Sequence, residues 1–195
     1  MNKSRTPVIL ASQSPRRVEL LKQIIKNFLV IPSEVEEVCS SNLSPEKNAM
    51  VLGRKKAEWV ANRHPSHWVI GADTLVVLKN EIIGKPANID DAFQILRRLS
   101  GREHNVITGI AVVHSNTLSA VTVSKVRIKS LTDNEIVSYV NSGEPMDKAG
   151  AYAIQGEGAS LVEGYEGSYS NIVGLPINTL KDLLQKAGFS FDEFS

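Results

Sequence analysis

Twice within the first fifty residues an apolar stretch gives way to Ser-Pro and then to helical spacing, and this repeated junction constrains the fold more than any other feature. Val8 to Ala11 reads as a short buried strand. Ser14-Pro15 then supplies an N-cap and an N1 proline for a helix to about Lys26, whose apolar stripe is Leu20, Leu21, Ile24 and Ile25. Phe28 to Glu37 reads as a second strand, and Ser44-Pro45 starts a longer helix that runs to about His64. An opening of the form βαβα is that of an α/β protein.

The remainder changes character. Trp68 to Ala72 and Leu75 to Lys79 are β-rich runs on either side of Asp73-Thr74, and Lys79-Asn80-Glu81 is a hairpin turn before Ile82-Ile83. Asn88 to Leu99 is helical and stops at Ser100-Gly101. Asn105 to His114 and Leu118 to Lys129 alternate as antiparallel strands do, and Thr132 with Glu135 forms a capping box for a helix to Asn141. From Asp147 to Gly174 the chain carries six of its 13 glycines, a density that implies close approach of backbone, before a last helix from about Pro176 to Ala187. No internal repeat, low-complexity tract or linker divides the 195 residues. The expectation is one domain, 1–195, of two lobes sharing a sheet, with a cleft between them.

Composition excludes several classes. With 42% hydrophobic and 22% charged residues the chain can bury a core and is not disordered. Lys plus Arg is 22 against 21 acidic residues, a net charge of +1, so bulk attraction to duplex nucleic acid is not its mode of binding. The single cysteine, Cys39, cannot form an internal disulfide, and no CxxC or Cys/His cluster offers a zinc site. A reducing cytoplasm fits best. The apolar run at Val8 is too short for a signal peptide and no run approaches membrane-spanning length, so neither export nor a membrane partner is expected.

The chemistry points to an anion. At Ser12-Gln13-Ser14-Pro15-Arg16-Arg17 a strand ends where a helix begins, so backbone N–H groups and two forked guanidinium groups are available together to phosphate oxygens. In Trp68-Val69-Ile70-Gly71-Ala72-Asp73-Thr74 an apolar strand delivers a carboxylate and a hydroxyl at a small-residue bend, where Asp73 could bind a metal or take a proton. Spacing residues at about 100° puts Lys56 on the apolar face of its helix with Ala49, Gly53, Ala57 and Val60, while Arg54 and Glu58 point away. A buried ammonium is costly unless paired, so Lys56 should meet a carboxylate or a bound anion, and Gly53 one turn away provides room. By the same test Arg97 and Arg98 are solvated. Loop lysines beside Gly or Pro, as in Gly84-Lys85-Pro86 and Asp147-Lys148-Ala149-Gly150, suit phosphates, but no Walker A, GxGxxG, GxSxG or HExxH is present.

These pieces together resemble the Maf family of nucleoside triphosphate pyrophosphatases. The resemblance rests on LASQSPRR at 10–17, SEVEE at 33–37, RKKA at 54–57, GADT at 71–74 and GKP at 84–86. It continues in LSGREHNVITG at 99–109, GEPMDKAGAYAIQG at 143–156 and GSYSNIVGLP at 167–176. It implies an α/β fold of two lobes around an elongated mixed β-sheet with a central cleft, similar to inosine triphosphate pyrophosphatases. It also implies hydrolysis of a nucleoside triphosphate to the monophosphate and pyrophosphate, as house-cleaning of non-standard nucleotides. Asp73 would be the proton acceptor, and Ser12, Arg16, Arg17, Glu36, Lys56 and Lys85 would line the substrate site. A divalent cation, Mg²⁺ or Mn²⁺, would be held by Asp73 with Glu36, leaving open whether Asp73 serves mainly as base or as ligand. Arg17, Thr74 and Gln155 match the branch acting on dTTP and UTP, which implies a pyrimidine substrate. Gly53, where the family commonly has alanine, and Glu157 depart from the pattern. The resemblance further implies a homodimer. Three other functions share parts of this reading: a septum-formation regulator acting by binding, a 7-methyl-GTP pyrophosphatase, and an inosine or xanthosine triphosphate pyrophosphatase.

Overall fold

A computed structural model describes residues 7–191; the ends of the expected domain, 1–6 and 192–195, lie outside them. The chain is a mixed α/β protein. Its strands are β1 (Val8–Leu10), β2 (Leu29–Val30), β3 (Trp68–Leu78), β4 (Glu81–Ile83), β5 (Glu103–Val113), β6 (Thr117–Ile128) and β7 (Val162–Glu166). Its helices are α1 (Pro15–Lys22), α2 (Pro45–Ala61), α3 (Ile89–Leu99), α4 (Asp133–Val140), α5 (Tyr169–Val173) and α6 (Ile177–Lys186). The strands form one seven-stranded sheet in the order β2-β1-β3-β5-β6-β7, with β4 paired to β3. β1 runs parallel to both β2 and β3, whereas β3–β4 and β6–β7 are antiparallel, so the sheet is mixed.

The described residues divide into two compact units. The first comprises 7–73, 108–122 and 174–191, and the second 74–107 and 123–173. In the first, Ile9, Val69 and Ala111 from the strands, with Ala11 just after β1, pack with Ala57, Val60 and Ala61 of α2. Small residues on this face bring helix and sheet unusually close. A Cβ on Gly109 of β5 would lie 2.2 Å from the Ala49 backbone, and one on Gly71 of β3 would lie 2.4 Å from the Gly53 carbonyl oxygen. Gly53 in turn would meet the Gly109 carbonyl oxygen at 2.5 Å. Three glycines therefore set the depth at which α2 rests on the strands.

The second unit has its own core, in which Val76, Val106, Val126 and Ile128 meet Leu96 and Leu99 of α3 and Ile136 and Val140 of α4. The capping box at Thr132 and Glu135 is present, and Asn88 caps α3 by accepting from the Asp91 N–H. Arg97 and Arg98 are exposed, where they pair with Asp133 and Glu81. His104 is buried with its Nε2 2.7 Å from the Tyr152 hydroxyl, and burial pushes its pKa from the ordinary 6.5 down to about 4.

Some boundaries differ from the sequence expectation. The second strand keeps only Leu29–Val30, both exposed, and residues 32–40 have no regular structure. The expected bend at Asp73-Thr74 is absent, because Trp68–Leu78 is a single strand buried along nearly its whole length. The hairpin turn falls on Lys79 and Asn80, both with positive φ. Within the glycine-rich stretch lie two 3₁₀ turns, β7 and α5, none of which has a long enough apolar period to be read in advance.

Two outcomes follow. Gly109→Ala forces a Cβ into backbone and should cost about 3 kcal/mol or more in urea unfolding, while Gly84→Ala, with nothing within 4 Å, should stay within about 0.5 kcal/mol. His104 binds its proton more weakly folded than unfolded, so its contribution to stability is complete above about pH 6.5 and is lost as pH falls through about 4. The pH dependence of urea unfolding across that window should be flatter in His104→Asn than in the parent; equal slopes would contradict this assignment.

Candidate active site

Lys56 projects from the buried face of α2 and is only 6% exposed. Its Nζ donates to Asp73 Oδ1 at 2.5 Å and to Glu37 Oε1 at 2.6 Å. Asp73, in the middle of β3, is 5% exposed. Either charge buried alone would cost several kcal/mol, and the pairing offsets that penalty. It also explains how a carboxylate sits inside an apolar strand without breaking it: its hydrogen bond is supplied by the helix above. The glycine contacts of α2 are what bring the ammonium within reach.

Glu37 reaches Lys56 from the irregular segment that follows β2. That segment is tied to α2 by Asn48, which is buried on the helix. Its Oδ1 accepts from the Ser40 N–H at 2.8 Å, and its Nδ2 donates to the Ser40 and Leu43 carbonyls at 3.0 and 3.1 Å. Ser44 starts the same helix by accepting from the Lys47 N–H. The first turn of α2 thus anchors the segment that bears Glu37, and the same helix carries Lys56 further along.

The junction of β1 and α1 adds positive charge. Arg17 Nε donates to the Gly174 carbonyl at 2.8 Å and its Nη1 to Ser12 Oγ at 3.3 Å, and Ser12 Oγ also accepts from the Ser14 N–H at 3.2 Å. Burial lowers the pKa of the Arg17 guanidinium, while Asp73 and Glu37 act in the opposite direction and Arg16 reinforces the lowering. Burial, Asp73 and Glu37 together raise the Cys39 thiol above its usual range, so it stays protonated and is a neighbour rather than a nucleophile. Lys56 and Arg17 against Asp73 and Glu37 make a cluster that is formally balanced.

Ser12, Arg17, Lys56 and Asp73, all expected from the sequence, therefore meet in the first unit, with Arg16 half-buried beside Arg17. Glu36 is exposed, and its neighbour Glu37 is the residue that touches Lys56. Sequence reasoning missed Glu37 and Asn48. In an irregular segment no periodicity says which of two adjacent glutamates turns inward, whereas a polar Asn48 on the same helical face as Ala49 and Leu52 was a readable signal. Thr74, Lys85 and Gln155 belong to the second unit: Thr74 half-buried in β3, Lys85 exposed after β4, and Gln155 exposed just before Gly156. The loop at Lys85 is held by the Gly150 N–H, which donates to the Gly84 carbonyl at 3.0 Å.

Among the described residues there is no group of three or more His, Cys, Asp and Glu side chains able to cage a metal ion. The donors at hand are carboxylate oxygens, which suit Mg²⁺ or Mn²⁺ in the manner of ions that keep waters and take their other ligands from phosphates. No helix among these residues is long and apolar enough to cross a membrane.

Known proteins match this chain over nearly its whole length. The sequence profile of the family described as Maf-like protein covers residues 7–187. A dTTP/UTP pyrophosphatase of Dictyoglomus turgidum is 49% identical over 190 residues, covering 95% of this chain and 98% of that protein. Another of the same description, from Caldicellulosiruptor saccharolyticus, is 46% identical over 189 residues, covering 93% and 95%. Among solved structures the Staphylococcus aureus Ham1 protein superposes with a TM-score of 0.54 at 18% identity, covering 93% of this chain and all of the other, a likeness of fold.

Removing one member of the buried pair should be worse than removing both. Lys56→Met strands Asp73 and should lower stability by about 3–5 kcal/mol in urea unfolding at pH 7. Lys56→Met with Asp73→Asn should recover more than half of that loss. Equal losses in the single and double variants would show that the pairing is not what keeps Asp73 buried.

Proposed function

The chain belongs to the Maf-like protein family, and on that basis we propose that it hydrolyses dTTP and UTP to the monophosphate and pyrophosphate. The observation that carries this reading is the Lys56 ammonium buried between Asp73 and Glu37, beside the Ser12 to Arg17 turn. The names of its relatives, dTTP/UTP pyrophosphatases nearly half identical along almost their full length, support the choice of substrate.

A triphosphate is a polyanion that repels an attacking water. The formally balanced cluster of Lys56, Arg17, Asp73 and Glu37 cannot neutralise it alone, so Arg16 and Lys85 add charge from outside that cluster. Asp73 with Glu36 would offer hard oxygen donors to a divalent cation that takes its remaining ligands from water and phosphate. When bound, such an ion supplies charge neutralisation on the phosphate oxygens. Arg16 and Arg17 present forked donors to the phosphates from the first turn of α1, with Ser12 Oγ beside them.

In the reaction the water oxygen bonds to the α-phosphorus and the bond from that phosphorus to the α–β bridging oxygen breaks. The bridging oxygen leaves with pyrophosphate, and Asp73 takes the proton of the water. Lys56 holds Asp73 by Oδ1, which leaves Oδ2 to receive that proton. Base choice falls to Thr74 and Gln155, whose hydroxyl and amide suit the polar edge of a pyrimidine, where a lost buried partner costs about 1–3 kcal/mol.

Asp73→Asn keeps the shape and removes the negative charge. It should lower turnover of dTTP by about 10³-fold while dTTP binding, followed by calorimetry, persists. With dTTP, UTP, CTP, 7-methyl-GTP and ITP supplied in turn with Mg²⁺ or Mn²⁺, the parent enzyme should release pyrophosphate fastest from dTTP and UTP. Near-normal turnover by Asp73→Asn, or release of orthophosphate by the parent, would overturn the mechanism.

A further inference from the structure

Gln155 is exposed but lies between two anchored points of the second unit. Three residues before it, the buried Tyr152 is fastened by its hydroxyl to His104 on β5. Directly after it, the chain turns at Gly156, whose φ of 66° is left-handed, and closes around the side chain of Glu144. The Glu157 N–H donates to Glu144 Oε2 and the Gly158 N–H to Glu144 Oε1, both at 3.1 Å, and the Tyr139 hydroxyl donates to Oε1 at 2.9 Å. Successive backbone N–H groups converging on one carboxylate make a small anion nest, here filled by the protein's own side chain. The fit is tight, since a Cβ on Gly156 would lie 2.5 Å from Oε2. The backbone of Glu144 is itself held, because Lys148 Nζ donates to its carbonyl oxygen.

This expenditure of hydrogen bonds on one surface turn calls for a reason. Burial raises the Glu144 pKa, but the bonds from Tyr139, Gly158 and Glu157 and the charge of Lys148 outweigh it and leave the carboxyl below the usual carboxylate range. The group is therefore a carboxylate at neutral pH, accepting charge-assisted bonds from the N–H groups two and three residues after Gln155. With Tyr152 fixed upstream, these bonds are what determine the backbone course through residues 155–158.

We propose that Glu144 is a positioning residue for substrate selection: it fixes the turn after Gln155 and so sets how the Gln155 amide is presented to the base. The inference rests on the base-contacting role given to Gln155 above. Glu144 touches no reacting atom, and its effect passes through Gln155.

Glu144→Gln keeps the volume but places an NH₂ where one carboxylate oxygen accepts an N–H, so the nest is disrupted while the surrounding core is unchanged. KM and kcat for dTTP, UTP and CTP are measured in the parent, Glu144→Gln, Gln155→Ala and the double variant, with urea unfolding of each. Glu144→Gln should raise KM for dTTP and UTP about five- to tenfold, narrow the preference over CTP by a similar factor, and change kcat less than about twofold. The double variant should rank the nucleotides as Gln155→Ala does, because the two residues act in series. A Glu144→Gln enzyme with parental KM and ranking, whether or not its stability falls, overturns the proposal while leaving the role of Gln155 intact. So do effects that add in full in the double variant. A Gln155→Ala enzyme with parental ranking instead defeats the base-contacting role, and this inference with it.

Discussion

A single buried ammonium organises the first unit. Lys56 can lie between Asp73 and Glu37 only because α2 comes down onto β3 and β5 at Gly53, Gly71 and Gly109, where side chains larger than hydrogen would collide with backbone. The close approach and the ion pair depend on each other. Without the glycines the ammonium would stand off from the strand, and without the ammonium Asp73 would be a lone charge in an apolar run. The same contact ties the irregular segment bearing Glu37 to the sheet, since Asn48 holds that segment about two turns before Lys56 on the same helix.

The electrostatic design of this cluster bears on catalysis through what it leaves unbalanced. Two cations and two carboxylates cancel formally, and the pairing with Asp73 and the half-exposed Glu37 makes the burial of Lys56 tolerable in the resting protein. In the proposed reaction a triphosphate would upset that balance, and further positive charge would be needed to restore it. A carboxylate buried beside a fixed ammonium is also held in one orientation, so the proposed proton transfer would need little reorganisation. The second unit holds a carboxylate differently: Glu144 accepts from two backbone N–H groups and the Tyr139 hydroxyl rather than from an ammonium.

Much of this was legible in the sequence because its causes are local. Ser44-Pro45, the Thr132 and Glu135 box and the Lys79-Asn80 turn mark element ends through their own backbone chemistry, and each ends an element within a few residues of where it was read. The burial of Lys56 followed from angular spacing alone. What escaped depends on distant partners. Asp73 looks like a turn residue until Lys56 satisfies it. Glu36 and Glu37 differ in a segment without period, and β7 and α5 sit in a glycine-rich stretch whose course is set by Glu144, Ser124 and Val76 rather than by its own pattern. The fold class was readable from the order of elements, whereas the identity of the second carboxylate on Lys56 was not.

The central claim is that the pair Lys56–Asp73 is where the α-phosphorus reacts. A crystal structure with α,β-methylene-dTTP, which cannot be cut at that bond, tests it directly. The account predicts the α-phosphate within hydrogen-bonding reach of Lys56 or Arg17, with an ordered water between Asp73 and the α-phosphorus on the side opposite the β-phosphate. A phosphate tail bound away from Ser12 to Arg17 and from Asp73 would contradict it.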